Sequence, residues 1–239
     1  MRSSSGSSRK LSGKKSFVVA IDGPAASGKS TVAYLLARKL GFTYMDTGAM
    51  YRALTWKALN TGIDLDDEKS LSQMAENIRI DISSRESYPG IDVYVDDKEV
   101  SSLIRTPQIN RWVSIVSRVP GVRKAMVKLQ RNIARNKSVV AEGRDIGTVV
   151  FPQADVKIFL VASLEERAKR RWKELQEKGI SCKIEEIREE LHLRDKIDSE
   201  REIAPLRKAP DALLVDNTDL DITQTLEKLL GIVKSRIMI

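Results

Sequence analysis

The residues with the clearest chemical purpose are Gly23-Pro24-Ala25-Ala26-Ser27-Gly28-Lys29-Ser30-Thr31, which fit the pattern G-x-x-x-x-G-K-[ST] without a gap. Gly23 and Gly28 let the backbone turn tightly and bring its N–H groups onto phosphate oxygens. A helix starting near Lys29 would aim its positive end at the same phosphates. Lys29 adds a mobile full charge for the β and γ phosphates, and the Ser30 hydroxyl suits Mg²⁺. The loop therefore calls for a nucleoside triphosphate. By itself it leaves open what receives the phosphate, or whether water does.

Such a loop works only between a strand and a helix, and both are predicted. Phe17-Val18-Val19-Ala20-Ile21 reads as a buried parallel strand. Residues 32–40 carry apolar side chains at helical spacing, and Gly41 stands where a C-cap belongs. A short strand over 42–45 follows, then Asp46-Thr47-Gly48 as a turn capping a helix from Ala49 to about Asn60. Residues 64–77 read as an acidic loop and a short helix.

Beyond residue 78 the period changes. Ile78, Ile80 and Ile82 alternate, Ile91, Val93 and Val95 repeat this, and Asp96-Asp97 makes a turn before Lys98-Glu99-Val100. A period of two inside a chain that otherwise alternates strand and helix predicts a small antiparallel β insert. Helices are predicted over 108–117 and 122–136, separated by Pro120-Gly121. Strands follow at 138–141, 155–161 and 212–215. Ser163-Leu164-Glu165-Glu166 resembles a capping box and opens a helix bearing Arg167, Arg170 and Arg171. That helix ends at Gly179, and a second charged helix spans about 183–200. Leu226, Leu229, Leu230 and Val233 place one more amphipathic helix over 222–237. Trp56 and Trp112 are assigned to packing, and Cys182 and His192 to the surface of the charged helix pair.

Composition narrows the function classes. The chain has 239 residues, 41% hydrophobic and 31% charged, enough for one α/β core with a small insert. No apolar run approaches a membrane span, and no signal peptide is read at the basic N-terminus. One Cys and one His exclude an internal disulfide and argue against zinc, which suggests a reducing cytoplasm. Of the net charge of +8, residues 1–15 hold +5 through Arg2, Arg9, Lys10, Lys14 and Lys15. These residues read as a disordered basic tail. The remaining +3 is modest, and the body's arginines sit in short motifs. That suits an enzyme holding several phosphates better than a nucleic-acid surface.

Several motifs together resemble the bacterial cytidylate kinase family. They are Ile21-Asp22-Gly23-Pro24 with the loop; Asp46-Thr47-Gly48-Ala49-Met50-Tyr51-Arg52; Gly143-Arg144-Asp145-Ile146-Gly147-Thr148-Val149-Val150-Phe151-Pro152; and Arg194-Asp195-x-x-Asp198-x-x-Arg201. The resemblance runs from residue 16 to the C-terminus. It implies a P-loop kinase fold: an α/β domain with a parallel sheet flanked by helices, a small antiparallel β insert and a helical lid. The insert, at about 78–118, would bind the nucleoside monophosphate, and the lid would span about 163–200. The implied reaction transfers the γ-phosphoryl group of ATP to CMP or dCMP with Mg²⁺. Nucleic acid and membrane have no part in it, and a monomer is the expectation.

The resemblance also implies residue roles. Ser114, Arg123 and Asp145 match positions that recognise cytosine, and Arg194 and Asp198 match positions that hold the ribose. Thr47, Arg52, Arg144 and Arg201 match positions around the monophosphate. Lys29, Arg144, Arg201 and the lid's Arg170 are the catalytic candidates, and Ser30 the metal candidate. Glu142 departs from the pattern, standing where some relatives have Asp.

The residues agree with this in physical terms. A phosphate monoester has its second pKa near about 6, so the acceptor is already largely ionised and needs no general base. It must be brought in line against charge repulsion, which calls for guanidinium groups, a lysine and Mg²⁺. A regulatory GTPase would need Asn-Lys-x-Asp, and the nearest string, Asn136-Lys137-Ser138-Val139, lacks the Asp. A kinase of another small substrate, such as shikimate, is opposed only by the Gly-Arg-Asp and Arg-Asp-x-x-Asp-x-x-Arg strings. A nucleic-acid module would depend on the basic tail. Closure of the insert and of residues 163–200 over the acceptor is expected, to exclude water.

Overall fold

The computed structural model describes residues 16–84 and 91–237. The predicted basic tail and the tip of the insert lie outside the described residues.

Five parallel strands form the central sheet: β1 (Val18–Asp22), β2 (Thr43–Asp46), β6 (Val139–Gly143), β7 (Val156–Val161) and β8 (Leu213–Asp216). Their order is β2-β6-β1-β7-β8. All four pairings are parallel, with Ile21 opposite both Glu142 and Ile158. Side chains alternate across a strand, so each strand feeds both faces. Val19 and Ile21 join a core with α1 (Lys29–Leu40) and α8 (Ile222–Ile237), while Ala20 and Ala141 join a second cluster with Ile146 and Val150. Leu36, on α1, is fully buried in the first core, where truncation to Ala would cost about 2–5 kcal/mol.

The predicted insert is a three-stranded antiparallel sheet of β3 (Ile80–Ser84), β4 (Ile91–Val95) and β5 (Lys98–Glu99). Asp96 and Asp97 both have positive φ, 48° and 68°, the backbone that a tight hairpin turn needs. Ile91, Val93 and Val95 are buried toward α2 (Thr47–Thr61), and Lys57 on that helix pairs with Asp96 at 2.6 Å. A 3-10 turn, Leu103–Arg105, leads from the insert into α4 (Pro107–Val116).

Helix α3 (Glu68–Asn77), capped by Asp67, is the short helix expected within 64–77. Two features differ from the sequence reading. Pro120 and Gly121 do not separate two helices but form the first turn of α5 (Pro120–Ala134), where proline's missing N–H costs nothing. Residues Ile146–Val150 form a π-helical turn that no periodicity announced.

The charged helix pair is α6 (Leu164–Glu177), capped by Ser163, and α7 (Ile184–Glu200). A small apolar cluster of Ala168, Ile187 and Leu191 joins them and includes Ala25 of the phosphate loop. His192 is exposed as expected, but Cys182 is half-buried between the helices.

Candidate functional site

The C-terminal ends of β1, β2 and β6 deliver their following residues to one cleft of about 1050 Å³. This is where an open parallel sheet binds its ligands. On one side lies the phosphate loop. Gly23 has φ 153°, and a Cβ there would fall 2.0 Å from the Leu160 carbonyl oxygen, so only glycine allows this approach of loop to β7. Gly28 caps α1, whose N-terminal amides face the cleft. The Lys29 ammonium folds back to donate to the Pro24 carbonyl at 2.5 Å and to Ser27 Oγ at 3.2 Å. Burial lowers its pKa to about 7.

At the cleft floor the Ser30 hydroxyl donates to Glu142 Oε1 at 2.7 Å. Glu142 is 4% exposed, and burial, helped by Asp46, pushes its carboxyl up to about 7. The Thr47 hydroxyl donates to the Glu142 carbonyl at 2.7 Å. Asp46 caps α2 by accepting from Ala49 N at 2.8 Å. Burial opposes its ionisation, but Arg105 and Arg52 outweigh this and hold its carboxyl below the ordinary range. A hydroxyl beside a buried carboxylate is a donor set that suits Mg²⁺, a hard cation that keeps most of its coordination for water and phosphate. No group of three or more His, Cys, Asp or Glu able to hold a metal occurs among the described residues, so phosphate oxygens would have to complete the shell.

The other side is built of guanidinium groups. Arg123, from α5, pairs with Asp145 and also donates to the Ser117 carbonyl at 3.1 Å. Its guanidinium lies over the Tyr51 ring, 5.3 Å from the centroid. Arg201, the C-cap of α7, stands 3.7 Å from the other Asp145 oxygen. Arg144 donates through Nε to Asp198 at 2.8 Å, and Asp198 outweighs the burial that would otherwise disfavour charge on Arg144. Arg52 is half-buried near Asp46, Arg105 and Glu142, and burial lowers its pKa. Burial, with Arg144 and Arg52 nearby, brings Arg194 down to about 9. Arg194 Nε and Arg201 Nη2 are buried and have no hydrogen-bond partner among the described residues. Ser114, buried on α4, lines the same cleft.

All the acceptor residues inferred from the sequence therefore meet the phosphate loop across one cleft. The lid arginines divide. Arg170 donates to Glu166 at 2.9 Å, to Asn217 Oδ1 at 3.2 Å and to the Asn217 carbonyl at 2.7 Å, close to Gly28. Arg171 reaches only Glu174, at 2.7 Å. Arg167 is outside the cleft: it is buried and bonded to Asp195 at 2.5 Å and to the Ala25 carbonyl at 3.1 Å, fastening the lid to the loop.

Two cleft residues escaped the sequence reading. Arg105 pairs with Asp46 at 3.3 Å. Its position at the end of the insert, one residue before the Thr106 helix cap, was the available signal. Asn217 donates to the Ser27 carbonyl at 3.1 Å and follows directly on β8, where a strand end marks the crevice.

A family model described as cytidylate kinase matches residues 19–235. A cytidylate kinase of Bacillus licheniformis is 50% identical over 224 residues, covering 93% of this chain and 98% of that protein. One of Carboxydothermus hydrogenoformans is 51% identical over 215 residues, covering 90% and 96%. Among solved structures, an uncharacterised protein from Eubacterium ventriosum covers 92% of this chain and 99% of its own, with a TM-score of 0.50 and 12% identity, a likeness of fold alone.

Proposed function

The chain belongs to the cytidylate kinase family, and from that membership we infer its reaction and the roles of its residues. It is a nucleoside monophosphate kinase that transfers the γ-phosphoryl group of ATP to CMP or dCMP, giving ADP and CDP or dCDP. The observation that carries this assignment is the facing of two anion-binding surfaces across one cleft: a phosphate loop on one side, and on the other buried arginines with donors still unfilled.

The residue roles follow from charge and placement. The loop from Gly23 to Thr31 wraps the ATP phosphates, and Lys29 turns from the Pro24 carbonyl to the β and γ oxygens. Ser30 and Glu142 hold Mg²⁺, which would neutralise charge on the transferring group. Arg52, Arg144 and Arg201, with Thr47, hold the acceptor phosphate, so that its oxygen is positioned rather than deprotonated. Arg194 and Asp198 bind the ribose. Asp145 accepts from the cytosine amino group with Arg123 and Ser114 beside it. Uracil presents a carbonyl there, and the loss of one such buried contact costs on the order of 1–3 kcal/mol. Arg170, anchored by Asn217, supplies positive charge from the lid.

The insert, about 78–118, forms the acceptor side, and the lid, about 163–200, covers the donor side and excludes water. Every residue in these roles comes from one chain, which agrees with a monomer. The lone Cys182 agrees with a reducing cytoplasm. Neither a nucleic acid nor a membrane is needed, and no helix among the described residues is long and apolar enough to cross a membrane. An ATP-coupled assay run side by side on CMP, dCMP, UMP, AMP and shikimate tests the reading. Turnover of CMP and dCMP well above the other three is the expected result, and equal turnover of CMP and UMP would remove the base-reading role from Asp145.

A further inference from the structure

Asp22 lies outside the cleft lining. It is the last residue of β1, immediately before the phosphate loop, and it is 4% exposed. Its carboxylate accepts two backbone amides from a different strand end. Ile146 N–H donates to Oδ1 and Gly147 N–H to Oδ2, each at 2.7 Å. These are the two residues that follow Asp145. They open the π-helical turn, so their N–H groups have no partner within it.

The fit is close. A Cβ at Gly147 would lie 3.3 Å from Asp22 Oδ2 and 3.1 Å from Lys157 Cδ, both tighter than ordinary contact. Glycine there leaves room for the carboxylate to reach both amides. The arrangement is costly for folding alone: burial raises the Asp22 pKa to about 6 in spite of the two amide bonds. A buried ionised group kept at such a cost, where a neutral residue would be cheaper, points to a use beyond stability.

We propose that Asp22 is a positioning residue for acceptor selection, strapping the Arg144-Asp145 segment to the strand that carries the phosphate loop. The two amide bonds fix the height of Asp145 at the base and of Arg144 at the acceptor phosphate, relative to the ATP phosphates. Asp22 touches neither nucleotide. It acts through a backbone that carries both acceptor contacts, extending the β1–β6 pairing, which ends at Asp22 opposite Gly143, past the end of the strand. This inference rests on the reading of Asp145 as the cytosine-facing carboxylate.

The test is steady-state kinetics of Asp22→Asn and Gly147→Ala on CMP and UMP, with thermal melts of each variant. Asparagine has the same shape but only one acceptor oxygen, and its NH₂ would oppose one of the two amides. Alanine at 147 keeps the carboxylate and crowds it. For both variants the ratio of kcat/KM for CMP to that for UMP should fall about tenfold or more, mainly through KM for CMP. KM for ATP should stay within about twofold. A merely structural role would lower the melting temperature without this split. In a folded variant, an unchanged CMP to UMP ratio with unchanged KM for CMP would overturn the proposal. So would equal losses in the ATP and CMP parameters, or failure of both variants to fold. Absence of any CMP preference in the unmutated protein would instead overturn the reading of Asp145, and the strap's purpose with it.

Discussion

The Ser30 hydroxyl donates to Glu142 Oε1 across 2.7 Å, joining the first turn of α1 to the end of β6. The pair lies in the cleft that the phosphate loop and the facing arginines line. It makes Glu142 the carboxylate that would hold Mg²⁺ together with Ser30. Ser30→Ala and Glu142→Ala should each raise the Mg²⁺ concentration needed for half-maximal rate about 10- to 100-fold, with KM for CMP little changed. Glu142→Asp, which keeps the carboxylate, should be milder. A Ser30→Ala enzyme with an unaltered Mg²⁺ requirement would remove Ser30 from that role.

Asp145 balances two buried cations, Arg123 and Arg201. Removing it outright strands both, and breaking such a pair costs about 3–5 kcal/mol of stability. Asp145→Ala should therefore lose melting temperature as well as its preference for cytosine. Asp145→Asn is the cleaner variant. It should give up about 1–3 kcal/mol of CMP over UMP discrimination while ATP binding holds. Competition assays with the two monophosphates read this directly.

Lys29 is a charge held at a structural cost. The residue is 4% exposed, its ammonium donates to the Pro24 carbonyl and Ser27 Oγ, and burial brings its pKa down to about 7. Lys29→Met should cut transfer by at least about a hundredfold, since one preorganised charge on the transition state is worth that much. The same variant should melt at an equal or higher temperature. A large fall in melting temperature would show that the lysine also serves the fold.

Arg170 and Arg171 are neighbours with different partners. Arg170 is anchored at Asn217 beside Gly28, whereas Arg171 meets only Glu174 on its own helix. Arg170→Ala should lower kcat by about tenfold to a hundredfold and leave KM for CMP nearly unchanged. Arg171→Ala should be the milder change. The reverse order would shift the lid's catalytic charge by one residue.

The buried Asp22 carboxyl predicts a pH-dependent stability whose sign follows from its raised pKa. Burial lifts its carboxyl from 3.8 to about 6; the amides of Gly147 and Ile146 offset part of this, Asp145 adds to the rise and Lys29 opposes it. Between those values the native protein keeps a proton that the unfolded chain has released. The stability this contributes is present below the ordinary carboxyl pKa and is lost as the pH rises through about 6. Asp22→Asn cannot titrate, so the unmutated protein should lose roughly 3 kcal/mol relative to it across that window. Denaturant unfolding of both proteins from about pH 4 to 7 measures the difference. A constant gap would contradict the raised pKa.

Much of the fold was legible because its signals are local. The phosphate loop is a contiguous string, and its strand and helix carry their own periods. The insert declared itself through the alternation of Ile78, Ile80 and Ile82 and of Ile91, Val93 and Val95, and two of its strands pair Ile80 with Val95 and Ile82 with Val93. Misreadings fell where two structures share a local signal. Pro120-Gly121 reads equally as a break or as the start of a helix, and packing of α5 against α3 decided for the start. There a Cβ on Gly121 would meet Ser72 Oγ at 2.1 Å.

The sequence by itself determined the identities of the loop residues and of the arginine motifs, because these are strings of residue types that need no partner to be recognised. It could not say which partner each arginine of α6 meets. Arg167, Arg170 and Arg171 look alike on one helix, but only the packed lid sends Arg167 to Asp195, Arg170 to Asn217 and Arg171 to Glu174. Arg105 and Asp46 are 59 residues apart in the chain and meet only when the insert folds over α2. Asp22 lies 124 residues from Ile146, and their bond exists because β1 and β6 are neighbours in a parallel sheet. Charges can be read along a chain, but their desolvation and pairing depend on groups that only tertiary packing brings together.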